Sequence, residues 1–124
     1  MDIALKLVRA GKKCKIYAIG DQLEVFLQEQ KRRAHNEVAR LIRLLDRTSQ
    51  DGPLKNNEKC RPLEDGLNEF KTHSLRVLWF WDADFMILCT HGFVKKSQKT
   101  PSGEIERAKK IKTMYEQAKR SNKR

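Results

Sequence analysis

Two apolar runs separated by a short polar turn most constrain the fold of this 124-residue chain. The first, LRVLWFW at residues 75–81, is rich in aromatic and branched side chains, and the second, DFMILCTHGFV at residues 84–94, is almost continuously apolar. Runs of this composition are typical of strands, and Asp82, Ala83 and Asp84 form a turn of the kind that joins a hairpin. The sequence therefore predicts an antiparallel hairpin here.

The segments around this hairpin supply further strands and a loop. GLNEF at residues 66–70 predicts a third antiparallel strand, and KCKIYAI at residues 13–19 alternates polar and apolar side chains and predicts the first strand of the chain. Residues 49–62 contain Gly, Pro and Asn and predict a loop. Within the last strand, Gly92 indicates either a bulge or the close approach of another segment to the backbone.

A long helical arm is predicted between the first strand and this loop. Apolar residues recur at helical spacing from Leu23 to Leu45, and the arm is expected to end near Thr48. Asp21 and Glu24 have the spacing of a capping box at its start. The wholly polar run QEQKRR in its middle allows the arm to break into two helices.

A basic helix is predicted near the C-terminal end of the sequence. Thr100 is expected as its N-cap and Pro101 as its first residue, and apolar side chains recur from Ile105 to Ala118. The order of strand, helical arm, three antiparallel strands and helix predicts a single α+β domain over residues 1–124, with the helices packed on a small sheet.

Positive charge dominates the sequence and is concentrated near its end. The formal net charge is +11, and residues 95–124 contribute +8 of it, with eleven lysines and arginines against three acids. Such a surplus repels itself and is tolerated best when a polyanion neutralises it. RNA, DNA, a ribosome or an acidic protein is therefore the expected type of partner.

Cysteine and histidine usage favours a cytoplasmic protein without a metal or cofactor. Cys14, Cys60 and Cys89 are widely spaced and form no CxxC pair, which favours free thiols in a reducing compartment. The three histidines do not have metal-ligand spacing. The sequence shows no signal peptide and no membrane-spanning stretch, so a cytoplasmic location without membrane contact is expected.

Several cations stand at the ends of the predicted strands. They are Lys71, Arg76, Lys95, Lys96 and Lys99. Because the end of one antiparallel strand lies near the start of the next, these side chains could converge on one edge of the sheet. The simpler alternatives are a solvated charged face for the lysines and a structural ion pair of Arg76 with Glu69 or Asp82.

Two histidines and two tryptophans also lie in the strand region. His73 follows Lys71 in a turn and could shuttle protons, whereas His91 has apolar neighbours and is expected to be a buried strand residue. Trp79 and Trp81 share one face of a strand, where core packing is favoured over base stacking.

Three segments resemble a known toxin superfamily. They are PLEDGLNEFK at residues 62–71, RVLWFWD at residues 76–82 and ILCTHGFVKKSQKTPSGEIERAKK at residues 87–110. In this order they resemble the RelE/ParE toxin superfamily, and in particular its phage-derived HigB-like branch, closely over residues 62–110. Lys71 stands where that branch usually carries arginine, which keeps the charge but loses the planar fork.

The resemblance implies a fold, an activity and partners. The expected fold is a small RelE-like α+β domain whose curved antiparallel sheet packs against the N-terminal helical arm. The expected function is the toxin of a type II toxin–antitoxin system, a metal-independent endoribonuclease that cuts mRNA on the ribosome and inhibits translation. Its expected partner is a cognate helix-turn-helix antitoxin, through which alone it would contact operator DNA, and no cofactor is implied.

The resemblance also implies site residues. Catalytic roles are expected for Arg76, Lys95, Lys99 and Lys71. RNA contacts are expected for Lys96, His73, Lys109, Lys110 and Lys112. Arg76 suits bidentate contact with a phosphate, and Lys95 or Lys99 is the expected general base. Two alternatives stay open, namely a ParE-like toxin that inhibits DNA gyrase by binding and a non-catalytic nucleic-acid-binding regulator.

Overall fold

The computed structural model describes residues 3–83 and 85–121, which form six strands and three helices. The strands are β1 (Leu5–Ala10), β2 (Lys15–Ile19), β3 (Cys60–Pro62), β4 (Leu67–Lys71), β5 (Leu75–Asp82) and β6 (Met86–Val94). The helices are α1 (Gln22–Arg33), α2 (His35–Asp51) and α3 (Ser102–Ser121). This arrangement confirms the predicted α+β class, with the helical arm divided in two and a helix near the C-terminal end.

All of these strands belong to one sheet, in the order β1-β2-β6-β5-β4-β3. β4, β5 and β6 form the predicted antiparallel meander, and the β1–β2 and β3–β4 pairs are also antiparallel. β2 and β6 run parallel, so the sheet is mixed rather than antiparallel throughout. The connection between these two strands contains the helical arm, β3, β4 and β5. A parallel pair requires a long connection of this kind.

The sheet separates two hydrophobic cores. Along β5, Val77 and Trp79 belong to the core beneath α1 and α2, whereas Leu78 and Phe80 belong to the core beneath α3. Successive side chains of a strand point to opposite faces, and here both faces are covered by helices. This explains why the sequence of β5 is continuously apolar rather than alternating.

A bulge in β6 redirects the second half of that strand. The register with β5 shifts between Leu78 and Trp79 and leaves Thr90 of β6 without a cross-strand partner. The extra residue turns His91 towards α3, where its Nε2 lies 2.9 Å from Glu104 Oε1. His91 is fully buried there, which confirms the prediction of a buried strand histidine.

Gly92 is required by the packing of α1 against β6. A Cβ atom at this position would lie 2.3 Å from a ring carbon of Phe26. The predicted close approach of another segment is therefore confirmed, while the bulge itself lies at Thr90. Trp79 is buried as predicted, but Trp81 is 45% exposed because it lies near the end of β5.

Both predicted helix starts differ from the structure in detail. α1 begins after Asp21, whose side chain makes no capping hydrogen bond, so the predicted capping box does not form. Thr100 does not cap α3, because its hydroxyl donates to Glu69 instead. The carbonyl oxygen of Pro101, one residue later, accepts the hydrogen bond from the backbone N–H of Ile105. A long-range contact thus replaces the local cap at Thr100.

Two strands lie where none was predicted. β1 precedes the strand expected at residues 13–19, which begins at Lys15, and β3 lies within the loop predicted for residues 49–62. All three cysteines are free, as predicted, and all three are buried. Of the predicted hairpin turn, Asp82 ends β5, while Asp84 lies outside the described residues.

Candidate active site

Three of the predicted catalytic cations border one small recess at an end of the sheet, called here the cation recess. Arg76 comes from the start of β5, Lys95 directly follows β6, and Lys99 lies in the loop before α3. Glu69 and Thr100 also line it. Because β5 and β6 are antiparallel, the start of one strand lies beside the end of the other, which is the geometry that the sequence pattern predicted.

A buried carboxylate organises the walls of the cation recess. Glu69 of β4 is fully buried, and its Oε2 accepts hydrogen bonds from Arg61 Nη2 at 2.9 Å and Nε at 3.2 Å. Its Oε1 accepts the hydroxyl hydrogen bond of Thr100 at 2.7 Å and lies 3.8 Å from Arg76 Nε. One carboxylate therefore joins β3, β4, β5 and the loop before α3.

Arg76 is held in a fixed orientation. Its side chain is almost wholly buried, and Nη1 donates to the carbonyl oxygens of Thr72 at 2.7 Å and Leu75 at 3.0 Å. Burial lowers the pKa of Arg76, and the nearby Glu69 carboxylate opposes this shift. A guanidinium stays protonated in proteins, so Arg76 is a permanent positive charge beside the recess. The Glu69 ion pair expected as an alternative is thus present, but it engages only Nε.

Lys71 is electrostatically part of the same cluster. It lies directly opposite Arg76 in the β4–β5 register, and its Nζ donates to the carbonyl oxygen of Asn57 at 3.0 Å. Burial lowers the pKa of Lys71, and the positive charges of Arg61, Arg76 and Lys95 lower it further. Three other cations therefore act on Lys71 at this end of the sheet.

The turn between β4 and β5 is anchored to α2 by a second buried carboxylate. Glu37 accepts hydrogen bonds from the Thr72 hydroxyl, from Ser74 through both its N–H and its hydroxyl, and from the N–H of Leu75. Burial acts to raise the pKa of Glu37, but these hydrogen bonds outweigh it and lower the pKa to about 2. On the other side of the turn, the backbone carbonyl oxygen of Ser74 accepts a hydrogen bond from the backbone N–H of Lys95 at 2.8 Å. The turn is thus fixed from both directions.

The residues predicted to contact RNA are placed apart from one another. His73 is exposed in the β4–β5 turn, and Lys96 is exposed just beyond β6. Lys109 pairs with Glu64 at 2.7 Å and Asp65 at 3.0 Å. The remaining α3 lysines differ, because Lys112 donates to the Asp65 carbonyl at 2.7 Å whereas Lys110 is exposed.

Sequence reasoning did not identify Arg61 as a member of this site, and it named Glu69 only as an alternative ion-pair partner of Arg76. Arg61 lies in a segment predicted as loop, so nothing local indicated that it reaches the recess. A signal for Glu69 was present, because it shares one face of β4 with buried Leu67 and therefore points inward. An inward carboxylate between cation-bearing strands indicates a buried ion pair.

Within residues 3–83 and 85–121, no helix is long and apolar enough to cross a bilayer. Over the same residues, no cluster of three or more His, Cys, Asp or Glu side chains is placed to hold a metal ion.

The fold is that of a small RelE-like α+β domain with clustered cations at one end of its sheet. A family model described as phage-derived protein Gp49-like (DUF891) matches residues 26–113, which is more than half of the chain. The chain therefore belongs to the Gp49-like family of phage-derived proteins, a RelE-like family associated with the toxins of toxin–antitoxin systems. No curated protein matches the chain.

Proposed function

We propose that this protein is the toxin of a type II toxin–antitoxin system, and that it cuts mRNA on the ribosome. Within the RelE/ParE superfamily we assign it to the HigB-like branch. The observation that carries the proposal is the cation recess, where Arg76, Lys95 and Lys99 border one small space. We propose that a phosphate contacts Lys95 and Lys99 at the rim of this space, beside the buried charge of Arg76. The family's association with toxins supports the biological role.

The proposed reaction is transesterification within the RNA chain. The 2′-oxygen of one nucleotide bonds to the adjacent phosphorus, the bond to the 5′-oxygen of the next nucleotide breaks, and a 2′,3′-cyclic phosphate forms. Negative charge grows on the phosphoryl oxygens in the transition state. Arg76, fixed by its bonds to two carbonyl oxygens, and the neighbouring Lys95 stabilise that charge without reorganising.

Proton transfer completes the reaction. The 2′-hydroxyl gives up its proton, and we assign its acceptor to Lys71 in place of Lys95 or Lys99. Lys71 lies directly opposite Arg76 in the β4–β5 register, and burial and neighbouring cations lower its pKa. The departing 5′-oxygen takes up a proton from solvent or from Lys99, which lies exposed at the rim of the recess. Lys95 then acts as a fixed charge.

We propose that a cognate helix-turn-helix antitoxin neutralises this toxin and is its link to operator DNA. The ribosome and its mRNA are the proposed targets in the cytoplasm. The net charge of +11 suits both the ribosome and an acidic segment of an antitoxin.

Production of the protein alone in bacteria tests this proposal. We expect growth to stop and mRNA to be cut within codons on translating ribosomes, which mapping of RNA 5′ ends will show. An SOS response with intact mRNA would instead indicate a ParE-like gyrase inhibitor. Unchanged growth with intact mRNA would indicate a non-catalytic nucleic-acid-binding regulator. Either of these outcomes contradicts the proposed endonuclease.

A further inference from the structure

A cleft of about 1000 Å³ opens between α2 and the segment that leads to β3. Resting on the proposed function, we infer that this cleft binds the RNA backbone next to the phosphate that is cut. We call it the arginine cleft, because arginines and other cations line it. The cations are Arg40, Arg43, Arg47, Lys59 and Lys71, and His73 also lines the cleft.

The charges of the arginine cleft are available to a ligand. Arg40, Arg43 and Arg47 recur at helical spacing along one side of α2, and all three are exposed. Within the described residues, Arg40 and Arg43 have no salt-bridge partner, and Arg47 has only a distant one, Asp51 at 3.9 Å. The acids in the lining are Asp46 and Glu58. The cleft is therefore strongly positive, and its guanidiniums suit phosphate oxygens.

The arginine cleft is joined to the cation recess by the β4–β5 turn. Thr72 lines the cleft, and its carbonyl oxygen holds Arg76 of the recess. Lys71 also lines the cleft, while its pKa is lowered in part by Lys95 of the recess. Because Glu37 fixes this turn to α2, the two sites keep a constant separation.

This continuity favours a nucleic-acid strand over a small anion. The phosphate in the recess belongs to a chain, so the adjoining nucleotides must leave the recess across a neighbouring surface. Cations spread over about two turns of α2 provide such a surface, since Arg40 and Arg47 are about 10 Å apart along the helix axis. Leu44 and Leu54 add apolar surface to the lining, against which part of a nucleoside can rest.

The test uses the full chain and a single-stranded RNA of about twelve nucleotides, 2′-O-methylated so that it binds without being cut. Fluorescence anisotropy gives the Kd at several KCl concentrations for wild type and for the R40Q/R43Q variant. The variant should bind at least about tenfold more weakly, because contacts to charged groups are lost. The slope of log K against log salt should fall in magnitude by roughly 1.4, since each phosphate contact in single strands contributes about 0.7.

A matched control removes two exposed cations from α3, in the R107Q/R120Q variant. This control should keep the wild-type Kd and slope, because α3 lies on the opposite face of the sheet. Equal losses in both variants would show unspecific attraction and overturn the inference. An unchanged Kd in R40Q/R43Q, or a wild type that does not bind the RNA, would also overturn it. The thermal midpoints of both variants check that they are folded.

A second probe separates RNA from an acidic protein segment. The cleft serves an acidic protein, and the inference is wrong, if two results are found together. Deca-glutamate would bind wild type tightly but not R40Q/R43Q, and R40Q/R43Q would still bind RNA with the wild-type Kd. Mapping of mRNA ends in cells keeps this failure apart from failure of the proposed function. If wild type cuts mRNA in cells but R40Q/R43Q binds RNA normally, only the inference about the arginine cleft is refuted.

Discussion

α2 and α3 lie on opposite faces of the same sheet, and both carry rows of positive side chains, yet the structure uses these charges differently. On α3, Lys109 pairs with Glu64 at 2.7 Å and Lys119 pairs with Asp82 at 2.7 Å. On α2, Arg40 and Arg43 have no ion-pair partner within the described residues. Although α3 lies in the most basic part of the sequence, several of its charges therefore hold the helix against the rest of the domain.

The difference shows that local charge density does not locate a binding surface. Residues 95–124 carry +8 of the net charge, but acids of the β3–β4 connection and β5 pair with two of the lysines on α3, Lys109 and Lys119. Among the acids of α2, Glu37 bonds to the β4–β5 turn and Asp46 lies 3.8 Å from Arg9, whereas Asp51 lies 3.9 Å from Arg47. The position of the counterions, rather than the number of cations, decides which helix can attract a polyanion.

The largest effect on stability is expected on the α2 side, for Glu37→Gln. The folded pKa of Glu37 is about 2, against 4.5 for the ordinary carboxyl, so the ionised form contributes roughly 3 kcal/mol to the free energy of unfolding. This contribution is complete above about pH 4.5 and is lost as the pH falls towards 2. Urea unfolding at pH 7 and at pH 3 should show a large loss in E37Q at pH 7 and a smaller one at pH 3. Equal losses at both pH values would contradict the assignment.

An intermediate effect is expected on the α3 side, for Asp82→Asn. Asp82 accepts hydrogen bonds from Tyr115 and from Lys119 Nζ, and α3 is attached to the sheet through them. Loss of the charge should cost about 2 kcal/mol in urea unfolding, since hydrogen bonds to charged groups contribute 1.5–3 kcal/mol. RNA affinity should stay at the wild-type value. A variant of full stability with weakened RNA binding would reverse the assigned uses of the two helices.

The smallest effect is expected for Lys109→Gln. Its partners Glu64 and Asp65 are largely exposed, and exposed ion pairs contribute little to stability. The same pairing makes this lysine less available to RNA, so affinity for ribosomes should change less than in R40Q/R43Q. Sedimentation with ribosomes at several salt concentrations measures both variants. A greater loss of affinity in K109Q would favour the original prediction that Lys109, Lys110 and Lys112 bind RNA.

The central part of the fold could be predicted because its signals are local. An apolar run marks each of β5 and β6, and helical spacing of apolar residues marks each of α2 and α3. Each pattern reports which side chains of that one element are buried. β1 and β3 could not be predicted in this way. β1 lies at the edge of the sheet with several exposed side chains, and β3 is a three-residue segment defined by its pairing with β4.

The candidate site, like the fold, could be predicted only where its sequence signals are local. The convergence of Arg76, Lys95 and Lys99 follows from antiparallel strand order, which the sequence pattern indicated. Arg61, Glu69 and the arginine cleft depend on contacts between segments far apart in sequence. The Thr100 hydroxyl, for example, bonds to Glu69, 31 positions away, rather than to the helix that follows it. A rule based on neighbouring residues cannot detect that choice.

The central claim is that the cations of the recess stabilise a phosphodiester as it breaks, and single-turnover cleavage tests it most directly. Purified K95A/K99A is compared with wild type on mRNA-programmed ribosomes at saturating toxin. The control, K12A/K13A, removes two exposed lysines beside the start of β2, at the opposite end of the sheet. The account predicts that the rate constant of K95A/K99A falls by at least about 100-fold, as is typical when groups that stabilise a transition state are removed. Its thermal midpoint should stay near that of wild type, and K12A/K13A should cut normally. A wild-type rate constant in K95A/K99A would contradict the account.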